Sequence, residues 1–287
     1  MVLESLITPF KAENKPSKLI FLGFLYCTIA IFLSLWIFKS YASLIMVFLT
    51  VMACVPLMYN TIKMEEEKDL QDMGERWLLK EHGKALMAFM ALFLGVALAC
   101  TLWYVVMPAD TVSTLFETQI ATIQNINPGF NAYTGNAQIG TVSSFIRIFL
   151  NNVKVLIFCI LFSFVYGAGA IFILTWNSSV IGAAMGNFIR SNLAYYSDLV
   201  GFDKLSQYFQ IFSIGLLKYV IHGVPEILAY FVAGLAGGII SVAVIRHDFG
   251  TRKFEHILLD SADLVLLSLF LLFIAGLLEV YVTPIVF

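Results

Sequence analysis

The stretch HGVPEILAYFVAGLAGGIISVAVIRH (His222–His247) opens with a histidine, a proline and a carboxylate, then carries no charge from Ile227 to Ile245. About 20 mostly apolar residues are enough to cross a bilayer as a helix, so this run reads as a span with a polar mouth. Two rows four residues apart sharpen the reading. One is His222, Glu226, Tyr230, Gly234 and Gly238; the other is Pro225, Ala229, Ala233, Gly237 and Ser241. Residues at this spacing share a helix face, and small residues on it let a neighbouring backbone come close. Gly182 and Gly186 form a second pair at the same spacing. The expected packing residues are therefore Gly234, Gly238, Ala233, Gly237, Gly182 and Gly186. Pro suits a first helical turn, so Gly223 and Pro225 are read as the helix start. That places Glu226 beside a positive helix N-terminus, which favours its anionic form.

The rest of the chain follows suit. It has 287 residues, 60% hydrophobic and only 13% charged, with a mean hydropathy of +0.88. Soluble domains carry roughly 25% charged residues, so the fold class expected is all-α: a polytopic transmembrane helix bundle forming one domain over residues 1–287. A net charge of −2 supplies no basic field for nucleic acid; the bilayer is the implied partner. Clear apolar runs are Leu19–Phe38, Tyr41–Tyr59, Ala85–Met107, Val153–Trp176, Ile227–Ile245 and Leu264–Phe287. Ser206–Ile221 is weaker and contains Lys218, which makes six to seven spans. Residues 178–189 are too short to cross alone and are read as a re-entrant or interfacial helix. The first run lacks a small-residue cleavage site and is taken as a retained span. Cys27, Cys54, Cys100 and Cys159 all fall in apolar runs and are read as packing residues.

Lysine and arginine in short loops set orientation. Lys11, Lys15 and Lys18 precede the first run; Lys63, Lys68, Arg76, Lys80 and Lys84 follow the second; Arg246, Arg252 and Lys253 follow the His222–His247 stretch. Pro108–Phe145 has neither residue. The reading is a cell-membrane protein with a cytoplasmic N-terminus, an extracellular loop over 108–145 and an external C-terminus, provided Ser206–Ile221 crosses. Residues 60–84 are highly charged, with apolar residues at helical spacing, and read as a cytoplasmic amphipathic helix. The loop over 108–145 is expected to be helical around Val112–Gln124.

Ionisable groups inside spans are costly and usually face the protein interior. Glu226 and Glu279 are the two to explain, with His222 beside the first. By the topology above they share one depth, near Asn151 and Asn152, and these five residues form the candidate buried polar site. Four readings of it stay open: a hydrogen-bonded cluster that locks helices, a site for a substrate, ion or proton, a zinc site, and carboxylate hydrolysis. No nucleophile elbow, HExxH or phosphate-binding glycine loop occurs, so no enzyme and no cofactor is expected.

Three segments resemble the stage II sporulation protein M family. They are FLNNVKVLIFCILFSFVYGAGAIFILTWNSSVIGAAMG (Phe149–Gly186), HGVPEILAYFVAGLAGG from His222, and LLFIAGLLEVYVTP ending at Pro284. The resemblance covers residues 144–287; Ser178 departs from it, standing where the family often has glycine. It implies a non-enzymatic membrane component that assembles with envelope or membrane-remodelling proteins, as a scaffold and a homo-oligomer. The alternative class is a transporter or channel built on Glu226, His222 and Glu279.

Overall fold

Long apolar stretches in lipid must satisfy their own backbone, and only helices do so within one segment. The computed structural model describes residues 9–69, 75–126, 141–166, 170–195, 201–245 and 251–286. Within these, a short α1 (Pro9–Asn14) leads into α2 (Pro16–Ile37), α3 (Ala42–Asp69) and α4 (Glu75–Val106). Two short helices follow, α5 (Ala109–Leu115) and α6 (Glu117–Ile126). The second half holds α7 (Thr141–Tyr166), α8 (Ala170–Tyr195), α9 (Gly201–Ile245), α10 (Arg252–Leu277) and a terminal turn, α11 (Thr283–Val286). No strand occurs among the described residues. Seven helices, α2, α3, α4, α7, α8, α9 and α10, are long and apolar enough to cross a membrane.

The tightest crossing joins α2 to α4. A Cβ at Gly23 would lie 2.0 Å from the Leu92 carbonyl oxygen, and one at Gly95 would lie 2.1 Å from that of Ile20. The two backbones touch through reciprocal glycines. Cys27 and Cys100 meet one turn along, sulfur to sulfur at 3.5 Å, and all four cysteines are buried and free.

Helices α4 and α8 run in the same direction. Ser178 donates to the Phe93 carbonyl at 2.7 Å, Thr101 reaches the Gly182 carbonyl at 3.2 Å, and Arg190 donates to that of Met107 at 2.9 Å. Gly182 lies against Ala97 and Cys100, and Gly186 against Tyr104. On α9, Gly237 faces the Ile160 carbonyl of α7 at 2.6 Å, and Gly234 faces Ala170 at 2.9 Å. Ala233 and Gly238 are buried on the same helix.

Several boundaries differ from those expected. The run Val153–Trp176 is two helices: α7 ends at Tyr166 and α8 starts at Ala170. Residues 178–189 are accordingly the middle of a 26-residue helix rather than a re-entrant one. In compensation, Ser206–Ile221 and Ile227–Ile245 are one helix of 45 residues, so seven helices remain, within the six to seven spans expected. Gly223 and Pro225 do not start a helix; they lie inside α9. A membrane bundle tolerates interior proline because neighbouring groups compensate the lost backbone bond. The dipole argument for Glu226 fails with that boundary, since α9 begins far upstream, at Gly201. Asn151 and Asn152 lie within α7. The charged stretch 60–84 is no separate helix: its described parts continue α3 to Asp69 and open α4 at Glu75, because those ends extend helices already nucleated by apolar packing.

The segment after α4 folds back onto the bundle. Gln119 of α6 is fully buried, accepts from the Ser43 hydroxyl at 2.8 Å and donates to Ser179 at 3.2 Å. Thr118 pairs with Ser43 through both its hydroxyl and its backbone N–H. One polar knot thus ties α6 to α3 and α8. Residues 127–140 of this segment lie outside the described residues.

Candidate functional site

Helices α6, α7, α8 and α9, with the turn that follows α10, line a half-open cavity of about 130 Å³. A single water needs only about 10–15 Å³ of such space, so several fit. The lining has two halves. Ile123, Ile148, Val180, Ile181 and Ala184 supply the apolar half. Asn151, Asn152 and Asn177 line the polar half, with Tyr219, His222, Glu226 and Glu279. All five residues of the expected polar site therefore line one cavity, Glu226 and Glu279 among them. Every polar residue of the lining falls within an apolar span.

Each side chain gets there for a local reason. Helices α9 and α10 run antiparallel, with His222 Nδ1 3.4 Å from the Thr283 hydroxyl, which brings Glu226 level with Glu279. Glu226 accepts from Tyr230 one turn on, at 2.8 Å, and Tyr230 is fully buried. Asn152 is 6% exposed, and no hydrogen bond to its side chain occurs among the described residues. Asn177 donates its amide to the Ile173 carbonyl at 2.8 Å, which leaves its oxygen free to accept. Neither glutamate has an ion pair among the described residues. Lys218 stands one turn before His222, but its ammonium lies over the Phe188 ring, 5.1 Å from the centroid. No three His, Cys, Asp or Glu side chains among the described residues are grouped to hold a metal ion.

The carboxylate that follows α10 sits in a widened turn. Leu278–Val282 is π-helical, and the Thr283 N–H donates to the Leu278 carbonyl, five residues back. The Thr283 hydroxyl donates to the same carbonyl at 3.0 Å. Pro284 accounts for it: proline has no N–H to give, and its ring collides with the carbonyl four residues back, that of Val280. Such single π turns often occur at functional sites. Replacing Pro284 by alanine should restore the α register and rotate Thr283 by about 100° away from His222. Cysteines placed at 222 and 283 should then crosslink in the chain that keeps Pro284 and fail to do so in the Pro284→Ala variant. Equal crosslinking in both would show that proline does not set the turn.

Seven lining residues were not expected: Ile123, Ile148, Asn177, Val180, Ile181, Ala184 and Tyr219. Asn177 is visible only as part of an Asn-Ser-Ser triplet. Tyr219 lies in the weak run before Pro225, and Ile123 belongs to a segment with no assigned chemistry. One pointer exists, and it is spacing: Tyr219, His222 and Glu226 lie three and four residues apart on one helix face.

The architecture defines a class: an all-α, multi-pass membrane protein, in contact with the lipid bilayer, with a polar cavity among its helices. A family model described as stage II sporulation protein M matches residues 85–284. The chain belongs to that family. Neither a curated protein nor a solved structure matches it.

Proposed function

We propose that the protein is a non-enzymatic membrane protein that binds a small polar solute in this cavity and conducts or transports it. The observation that carries the reading is the convergence of Glu226, Glu279, His222 and three asparagines on one cavity within the spans. Two carboxylates with no cationic partner among the described residues cost several kcal/mol at membrane depth by insertion scales (~2.5–3.5 for an acidic residue at the centre). A cluster kept only to lock helices together would be expected to pair its charges and close its space. The distribution of Lys and Arg supports a cytoplasmic N-terminus and an external C-terminus, with the α5–α6 segment on the outer side.

The test is uptake into liposomes carrying the purified chain, using labelled sodium, methylammonium, glycine and glycerol in turn. At least one should enter faster than into empty liposomes. Glu226→Gln should lower that rate about tenfold or more, a loss of about 1.4 kcal/mol, while the protein stays monodisperse. No uptake of any of the four would overturn transport.

A second reading, a scaffold and homo-oligomer in an envelope complex, is favoured by the open side of the bundle. Only 22% of the most apolar stretch of α7, and of α10, is buried, against 76% for α9. These two helices pack together through Phe145, Phe149 and Phe273, and present Leu150, Phe158, Leu266 and Phe270 outward. Crosslinking in native membranes that yields only monomer would count against this reading.

A further inference from the structure

We infer that the cavity takes a small organic cation: a protonated amine whose ammonium group faces Glu226 and Glu279 and whose short apolar body lies against Ile123, Ile148 and Ile181. The inference rests on the cavity being a solute site and names the solute's chemistry.

Charge comes first. The described lining holds two carboxylates and no lysine or arginine, and the nearby ammonium of Lys218 lies over Phe188. In a low-dielectric setting an anion would be repelled, and a neutral solute would leave the carboxylates uncompensated. A cation offsets them.

Polar groups fix its orientation. Asn152 is nine-tenths buried, lines the cavity, and has no hydrogen bond among the described residues. Its amide opens onto the cavity, so a solute held there can hydrogen-bond to it. The Asn177 oxygen, freed because its amide bonds within α8, adds a neutral acceptor. An ammonium group has several donors and no acceptor, which matches a half-shell of oxygens.

Size and the second half of the lining select the body. A bare metal ion needs about six or more oxygen ligands at short range if hard like calcium, and no such ligand group is formed by the described acidic and imidazole side chains. About 130 Å³ remains, comparable with an engineered apolar cavity of ~150 Å³ that binds benzene. Ile123, Ile148 and Ile181 offer hydrocarbon to a chain of a few carbons, and burying each CH₂ is worth about 0.8 kcal/mol.

The test is calorimetry on the full-length protein in detergent, titrated with n-butylammonium chloride, and with sodium chloride and sodium butyrate as comparisons. Butylammonium should bind saturably with a dissociation constant of about 1 mM or below; sodium and butyrate should not. Methylammonium should bind more weakly than butylammonium. Glu279→Gln and Asn152→Leu should each weaken butylammonium about tenfold, and Ile181→Trp should block it while leaving the carboxylates in place. The wild-type comparisons decide the matter even where a variant fails to fold. No saturable butylammonium binding, equal binding of sodium, or equal binding of butyrate would each overturn the inference. Binding without uptake into liposomes would sink the transport reading alone. Uptake of another solute with no butylammonium binding would sink this inference alone.

Discussion

Gly95→Leu should be severely damaging, with a loss of stability of about 3 kcal/mol or more. Most overpacked side chains find relief by rotating or by shifting a flexible neighbour. Here the Cβ itself would stand 2.1 Å from the Ile20 carbonyl oxygen and 2.8 Å from the Phe24 nitrogen. Both are backbone atoms of α2, so the whole helix must move. Moving it uncouples Gly23 from Leu92 and parts Cys27 from Cys100. The expected result is a fall in the midpoint of thermal unfolding in detergent by several degrees, or failure to accumulate in membranes. Gly83→Ala on the same helix is the control. Nothing lies within 4 Å of a Cβ there, and alanine's better helix propensity should make it neutral or stabilising by up to about 1 kcal/mol. Equal stability of the Gly95 variant and the control would refute the backbone contact.

The second large effect concerns Gln119→Ala. The side chain is fully buried, accepts from Ser43, and donates to Ser179 and to the Ser43 carbonyl. Truncation removes these hydrogen bonds and leaves a void between α3, α6 and α8. Each orphaned buried partner costs about 1–3 kcal/mol, reduced here because Ser179 keeps its bond to the Trp176 carbonyl and Ser43 keeps Thr118. A loss of about 2 kcal/mol is expected. The consequence reaches the cavity, because α6 carries Ile123 into its lining. A cysteine at position 123 should react faster with a water-soluble maleimide in the Gln119→Ala background. An unchanged labelling rate would mean that α6 is held in place by something other than this knot.

The membrane class and the all-α fold were legible in the sequence. They rest on burial costs that lipid enforces at every position. The helix boundaries were less legible, for two opposite reasons. Between Tyr166 and Ala170 the chain passes from one helix to the next inside an unbroken apolar run, with only Gly167 and Gly169 to mark the place. At Pro225 a helix-breaking residue breaks nothing, and Pro56 lies inside α3 in the same way. Hydropathy reports what a residue's environment is, and it is silent on where the chain turns within that environment. The π turn at Glu279 was hidden for a related reason. Pro284 was visible as part of a tail motif, but its effect acts backward along the helix, on residues that look regular. The α2–α4 contact was missed because Gly23 and Gly95 are isolated glycines on separate helices, and a pair formed across space has no spacing to read.

That contact bears on where the family match begins. The matched residues start at 85, on α4, and leave α1, α2 and α3 outside. Yet α4 is notched at Gly95 to the depth of a bare main chain, and α2 is what sits in the notch. A chain cut down to the matched residues would carry an empty furrow on its flank, too shallow for a side chain and lined with hydrocarbon. Helix α2 is therefore a keystone made to measure for this bundle.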